Sequence, residues 1–385
     1  MKKILVNLVT LTSEDILPPW LRIFRKFQSF DCEVYINTGL FVKKLGPIGD
    51  VYNFSWLSNE EKKKLDQSSV STKLGFMTHS LKRNFINLYK SGSMVDKNFD
   101  VIYTPSAVLD FVIYPYCLKI KNKRIKWVVT LANTVPITDP GNKVIRFLAW
   151  IFFQISIFMI RKADRIFVPT PEIMAYLIER GFKKDKLVKT AFAIENDLIE
   201  KTVKSNDFKI DALFVGRINE TKGIYDMLKI VKLLRNKYPD FQLAIMGDGD
   251  IKTKAQFKNK IKEERLENNV QFLGYRNGME KYNIIKSAKC FWFLSVSESE
   301  SFGIALLEGV CSGLPAFVYD LQSFKSIYCN GEVIFSEKGD YKEVARKVME
   351  LWEKGDFNNE RGKLLLNKYS WEKIAQTEYN SFKDL

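Results

Sequence analysis

Short apolar runs rich in Ile, Leu and Val alternate with helical patterns along this chain, and the alternation starts afresh past its middle. In the first half, strand patterns fall at 3–11, 34–37, 101–103, 126–131 and 165–169, with a helical spacing of apolar residues at 20–30. In the second half they fall at 213–215, 242–246, 270–273 and 291–295, with a helical pattern at 222–238. Strands separated by helices pair in parallel, because the return crossing is made by the helix. The pattern therefore predicts two doubly wound α/β domains. A polar, charged stretch at 196–209 separates them, and 385 residues suit two domains of ~100–200 residues each.

Composition narrows the function classes. Hydrophobic residues make up 46% and aromatics 14%, enough for real cores and too much for a disordered chain. The net charge of +15 is uneven. Residues 1–200 carry 30 basic and 19 acidic side chains, whereas 201–385 carry 30 and 26. Such a balance points to an anionic partner: nucleic acid, an acidic membrane or a phosphate-bearing substrate. Five widely spaced cysteines without a C-x-x-C pair predict a reduced, intracellular protein with neither disulfides nor a zinc site. The single histidine, His79, excludes mechanisms that need two imidazoles, and its helical-looking surroundings (MTHSLKRNF) predict a structural role. The opening MKKILVNLVTLTSED has too short an apolar stretch for a signal peptide, and lacks a cleavage site; it is expected to be the first strand. The most apolar run, 147–160 (FLAWIFFQISIFMI), gives ~21 Å of helix, short of a ~30 Å hydrocarbon core. It is expected to be a buried or an interfacial helix, not a membrane span.

Two stretches carry chemistry. In FVGRINETKGIYDMLKIVKLL (214–234) a strand ends at Gly216, a turn presents Arg217, and Lys222 and Gly223 open an amphipathic helix. Two cations beside a strand end and a helix start make a seat for phosphate. In SVSESESFGIALLEGVCSGLP (295–315) Phe302 and Gly303 lead into a helix with Ile304, Leu306, Leu307 and Val310 as its expected apolar face, stopped by Gly313 and Pro315. Its first amides, at Gly303, Ile304 and Ala305, would point at an anion between two carboxylates, Glu300 and Glu308. The Asp248-Gly249-Asp250 triplet has the form of a D-x-D metal motif but follows a strand, and a turn is the expected reading, with no metal.

Together these residues resemble glycosyltransferase family 4, the retaining "group 1" glycosyl transferases. The likeness runs from VGR-x4-KG through MGDGD and FLGY to E-x7-E with FG after the first glutamate, and covers about 100 residues, 214–315. RKADRIFVPTPEIMAYLIERGF (161–182) and YSWEKIAQTEY (369–379) are similar to family segments at the end of the first domain and the end of the chain. The resemblance implies a GT-B fold, two Rossmann-like doubly wound domains facing a cleft. The expected domains are 1–200, joined by a terminal helix at 371–385 that crosses back, and 208–370. It also implies roles: Gly216, Arg217 and Lys222 at the donor diphosphate, Glu308 on the nucleotide ribose, Glu300 at the transferred sugar, and Phe302, Gly303, Ile304 and Ala305 around phosphate or sugar oxygens. The implied catalytic group is Glu300, Arg217 and Lys222, acting on a UDP- or GDP-sugar without cofactor or metal.

The first half departs from the family. Thr10, Thr12, Ser13 and Glu14 stand where a glycine-rich loop is usual, and Ala132 and Asn133 where a histidine is usual. Asn133 or Asp139 is then the candidate for acceptor or sugar contacts. The basic first half, the clusters KIKNKRIK (119–126) and LKRNF (81–85), and the aromatic 147–160 helix suit an anionic bilayer. The expectation is a peripheral enzyme of the inner membrane face in polysaccharide or glycolipid assembly, with a glycan or lipid-linked acceptor and no nucleic acid. A non-catalytic partner subunit and a nucleotide-sugar epimerase of the same fold are the alternatives.

Overall fold

The computed structural model of the protein describes residues 1–8, 21–37, 42–44, 85, 99–138 and 143–385. Thr10, Thr12, Ser13, Glu14, His79, Asp139 and all of LKRNF but Phe85 lie outside the described residues. The chain divides into two compact units, one made of Met1–Ile137, Gly141–Ala191 and Trp371–Leu385, the other chiefly of Phe192–Ser370.

The first unit holds β1 (Lys2–Asn7), β2 (Cys32–Asn37), β3 (Val42–Lys44), β4 (Val101–Thr104), β5 (Lys126–Thr130), β6 (Arg165–Val168) and β7 (Leu187–Lys189) in one sheet, ordered β3-β2-β1-β4-β5-β6-β7. All pairs are parallel except β2 with the edge strand β3. Its helices are α1 (Leu21–Gln28), α2 (Leu109–Lys121), α3 (Lys143–Ile160) and α4 (Pro171–Glu179). Thr170 caps α4 and Pro171 opens it, the arrangement a helix start favours. Trp127, Val129, Ile102 and the inner face of α3, Phe153, Ile157 and Ile160, share one core. The expectation of a buried 147–160 helix thus holds for that face only. The opposite face leaves Phe147, Ile155 and Phe158 exposed, and Trp150 is exposed at its border.

The second unit starts with α5 (Asn196–Lys201), inside the stretch that sequence marks only as polar. Its strands β8 (Ile210–Val215), β9 (Leu243–Met246), β10 (Val270–Gly274), β11 (Ala288–Phe293), β12 (Ala316–Tyr319) and β13 (Ile334–Ser336) are all parallel, ordered β10-β9-β8-β11-β12-β13. The helices are α6 (Ile224–Leu234), α7 (Ile251–Glu263), α8 (Gly278–Ser287), α9 (Ile304–Cys311), α10 (Gln322–Ile327), α11 (Tyr341–Lys354) and α12 (Glu360–Lys363). The near-continuous apolar runs IDALFV and AKCFWF are what strands buried on both faces require. Phe241 stacks on Trp292 in the core at 5.8 Å between ring centroids.

The last helix, α13 (Trp371–Phe382), belongs to the first unit and packs on α1. Phe382 meets Phe27 edge-on at 5.5 Å. Buried Glu378 accepts hydrogen bonds from Tyr103 Oη (2.6 Å) and Thr190 Oγ1 (3.0 Å), and burial pushes its carboxyl up to about 7. All five cysteines are free.

Candidate active site

Strand order in the second unit reverses at β8. The chain builds outward to β9 and β10, then returns to place β11 on the other side of β8. In open parallel sheets such a reversal leaves a crevice beyond the carboxyl ends of the two central strands, where ligands bind. The residues that follow β8 and β11 are those singled out by sequence.

After β8, Gly216 donates its amide to the Met246 carbonyl (3.0 Å), and Arg217 stands exposed with no side-chain hydrogen bond or ion pair among the described residues. Asn219 caps a single 3₁₀ turn, Glu220–Lys222, by accepting from the Thr221 amide (2.9 Å). Gly223 then takes φ +73° ahead of α6, so it precedes the helix rather than opening it. A Cβ there would fall 2.0 Å from the Leu294 carbonyl oxygen, so glycine alone lets the turn touch the end of β11. Ser295 Oγ and the Val296 amide both donate to the Thr221 carbonyl (3.1 and 2.9 Å), which ties the two strand ends together.

That tie brings Lys222 to Glu300. Their charged groups form an ion pair, with both side chains mostly buried, and Ser295 Oγ also donates to Glu300 Oε2 at 3.4 Å. Lys222 Nζ lies 5.1 Å from the ring centroid of Phe293, a second favourable seat for its charge. Glu300 is held from behind by Ser323, which donates to its carbonyl at 2.7 Å.

Gly303 (φ +65°) is the N-cap of α9, and no side chain caps this helix start. A Cβ at Gly303 would press on Phe324 at 3.2 Å. Phe302 is buried edge-on between Phe192 and Tyr369, each at 5.4 Å. Ala305 is half-buried and Ile304 is 42% exposed, so Ile304 does not belong to the apolar face expected of it; Leu306, Leu307 and Val310 do. Glu308, on the second turn, is buried. Its Oε1 receives both Lys281 Nζ (2.5 Å) and Tyr282 Oη (2.7 Å) from α8, while Oε2 has no hydrogen bond among the described residues. Neither glutamate is a free surface carboxylate. The partners Ser295, Phe293, Lys281 and Tyr282 carry no spacing signal, because they come from elements brought near only by the sheet order.

Asp248 and Asp250 serve the next turn. Asp250 caps α7 through the Thr253 amide (2.9 Å), and Asp248 accepts from the Gly249 amide (2.8 Å) and pairs with Lys254 (2.6 Å). These contacts hold both carboxyls below the usual range. Gly247 is packed so closely that a Cβ would lie 1.9 Å from the Gly216 carbonyl oxygen. In the first unit, Asn133 is exposed in the loop after β5.

An exposed cation, a cation held by a carboxylate and an uncapped helix start are thus gathered at the reversal of a Rossmann-like sheet, the place where open α/β sheets bind their ligands. Residues 195–364 match the family model for glycosyl transferases group 1. The family 4 resemblance seen in the motifs agrees with it. The chain is 33% identical over 192 residues to an uncharacterized glycosyltransferase of Methanocaldococcus jannaschii, covering 46% of this chain and 45% of that one. It is 32% identical over 122 residues to the phosphatidyl-myo-inositol mannosyltransferase of Mycobacterium tuberculosis, covering 31% of each. The match thus spans less than half the length of these two relatives. Among solved structures, HepE of Anabaena in complex with UDP and glucose superposes over 100% of both chains with a TM-score of 0.70 at 13% identity, a likeness of fold. The architecture is GT-B.

Proposed function

We propose that the protein is a retaining glycosyltransferase that moves a sugar from a nucleotide-diphosphate donor to a hydroxyl of a glycan or lipid-linked acceptor, without a metal. The observation that carries this reading is the Lys222–Glu300 ion pair at the joined ends of β8 and β11, beside exposed Arg217 and the uncapped start of α9.

The chemistry needs little more. The anomeric C–O bond breaks and its electron pair leaves with the diphosphate, so negative charge grows there while the sugar becomes oxocarbenium-like. Arg217, Lys222 and the amides of Gly303, Ile304 and Ala305 stabilise that charge, the part a divalent ion plays elsewhere; losing one such donor costs ~3–4 kcal/mol. Donor phosphate competes with Glu300 for Lys222, which frees Glu300 to meet the sugar. The acceptor oxygen bonds to the anomeric carbon on the face the diphosphate leaves, and its proton passes to a phosphate oxygen. Glu308, steadied by Lys281 and Tyr282 on one oxygen, offers the other to the ribose hydroxyls. Gly216 lets the backbone approach the diphosphate. Asp248 and Asp250, committed to the α7 turn, support the metal-independent reading. Residues 273–276, at the end of β10 and just past it, are the candidates to read the base, and Asn133 and Asp139 remain the candidates on the acceptor side.

UDP in HepE makes a UDP-sugar the first donor to try, ahead of a GDP-sugar. The mannosyltransferase relative, whose name specifies a phosphatidyl-inositol substrate, favours a lipid-linked acceptor presented at a membrane. No described helix is long and apolar enough to cross one, and docking at the membrane surface is the proposed alternative. A thermal-shift panel of UDP, GDP, ADP and CDP, with and without magnesium, tests the donor assignment. One diphosphate should raise Tm equally in both conditions; no shift with any of them would sink the transferase reading.

A further inference from the structure

We infer that the outer face of α3 is a membrane-docking surface that lies lengthwise on an anionic bilayer. The inference deepens, and rests on, the membrane-presented acceptor proposed above.

The face is built as an interfacial helix is built. Phe147 is 49% exposed, Trp150 36%, Ile155 38% and Phe158 64%, whereas Phe153, Ile157 and Ile160 are at most 7% exposed. At ~100° per residue, positions 147, 155 and 158 share an arc of about 80° opposite the buried set, and Trp150 lies about 60° outside that arc, at the border with the buried face. Phe147 and Trp150 stack at 6.3 Å on the exposed side. A helix on a water-facing surface carries polar residues outward; this one has no charged residue between Arg146 and Arg161 and no acidic residue at all.

Charge selects the occupant. Lys143 and Arg146 stand at one end of α3, and Arg161 and Lys162 just past the other. A second copy docked two-fold along this helix would set cations against cations, with no carboxylate on α3 to meet them. A sheet of anionic headgroups meets both ends at once, with the apolar stripe sunk at the acyl boundary. More cations join one end. β4, β5 and β6 are parallel, so α2 and α3 cross the sheet in the same direction, and they pack together. Exposed Lys121, Lys123 and Arg124 therefore fall on the Arg161 side. Lys119 does not contribute, being paired with Asp164 (2.7 Å).

Lying flat has a geometric result. The α3 helix begins on the carboxyl edge of the first sheet, past the loop that carries Asn133. Docking lengthwise sets that edge beside the headgroups, where a lipid-linked acceptor would be reached sideways. An upright helix would not serve, since 18 residues give only ~27 Å.

Co-sedimentation with phosphatidylcholine vesicles, with and without phosphatidylglycerol, tests the surface. The wild-type protein should bind the anionic vesicles, and Phe147→Ser with Phe158→Ser should weaken binding at least about tenfold. Ile251→Ser, at an 84% exposed apolar position in the second unit, should not. Brominated lipid should quench Trp150, and Trp150→Phe should lose that quenching. The double variant must keep the nucleotide thermal shift, which separates failed docking from failed donor binding. Wild-type-like sedimentation of the double variant overturns the inference, as does equal binding to neutral vesicles. So does a solution dimer that the double variant dissolves while neither protein binds vesicles, because the face would then meet a second copy.

Discussion

Both units are sheets that are parallel but for the edge strand β3, with a reversal of strand order at β1/β4 in the first and at β8/β11 in the second, yet their carboxyl edges are used differently. In the second unit the edge presents charge, with Arg217 exposed and Lys222 posed against Glu300. In the first, polar side chains at the ends of β1, β2 and β4 are taken up by bonds within the unit. Asn7 donates to the Phe111 carbonyl (2.7 Å), Asn37 donates to Asn7 (2.9 Å), and Thr104 takes the Trp127 indole N–H (2.9 Å). Net charge runs the other way, since the sequence excess lies in the first half. Total charge therefore says which broad surface attracts anions, while a phosphate site needs few cations, each fixed by backbone.

Four variants would break or sharpen that contrast. Lys222→Ala should lower sugar transfer by about 10²–10³ and shrink the nucleotide thermal shift; unchanged transfer in a kinetic assay would refute its assigned role. Gly223→Ala tests the backbone tie directly, for a Cβ in that left-handed turn strikes the Leu294 carbonyl. A loss of about 2 kcal/mol or more is expected from denaturant unfolding, and a neutral result would mean the strand ends are not rigidly joined. Glu308→Ala leaves Lys281 without its carboxylate, and calorimetry should find nucleotide binding about tenfold weaker or worse. Glu300→Ala, by contrast, should act on kcat more than on nucleotide affinity.

The smallest effect belongs to the first unit. The carboxyl of Glu378, raised by burial to about 7 from an ordinary 4.5, takes up a proton on folding between those values. Its contribution to stability is full below about pH 4.5 and is lost as pH rises through 7. The Tm of the wild-type protein should fall from pH 5 to pH 8 relative to that of Glu378→Gln. Parallel pH profiles in the two proteins would show that the group does not titrate there.

Much of this was legible in sequence because parallel strands buried on both faces are apolar runs, and because Gly216, Gly223 and Gly303 mark the turns between strand ends and helix starts. The three-residue strands β3, β7 and β13 were not, since they are too short to show a period, and the four-residue β12 was also missed. The support around Glu308 was invisible for another reason. Lys281 lies 27 residues before it on a different helix, and only the tertiary fold pairs them. The helix α3 was half-read: hydrophobicity identified it, but composition alone does not tell a helix apolar on one face from one apolar on both. Lys119, counted within a basic cluster, proved to be a paired structural residue.

The first unit closes only with α13, whose Glu378 reaches back 275 residues to Tyr103. During synthesis the contiguous second unit has its whole sequence before the first does. The residues up to Ala191 must wait on the ribosome with an unfilled groove beside Phe27, and Tyr103 without its carboxylate. A chain arrested before Trp371 would hold a finished second unit and an open first one, a state open to chaperones and proteases.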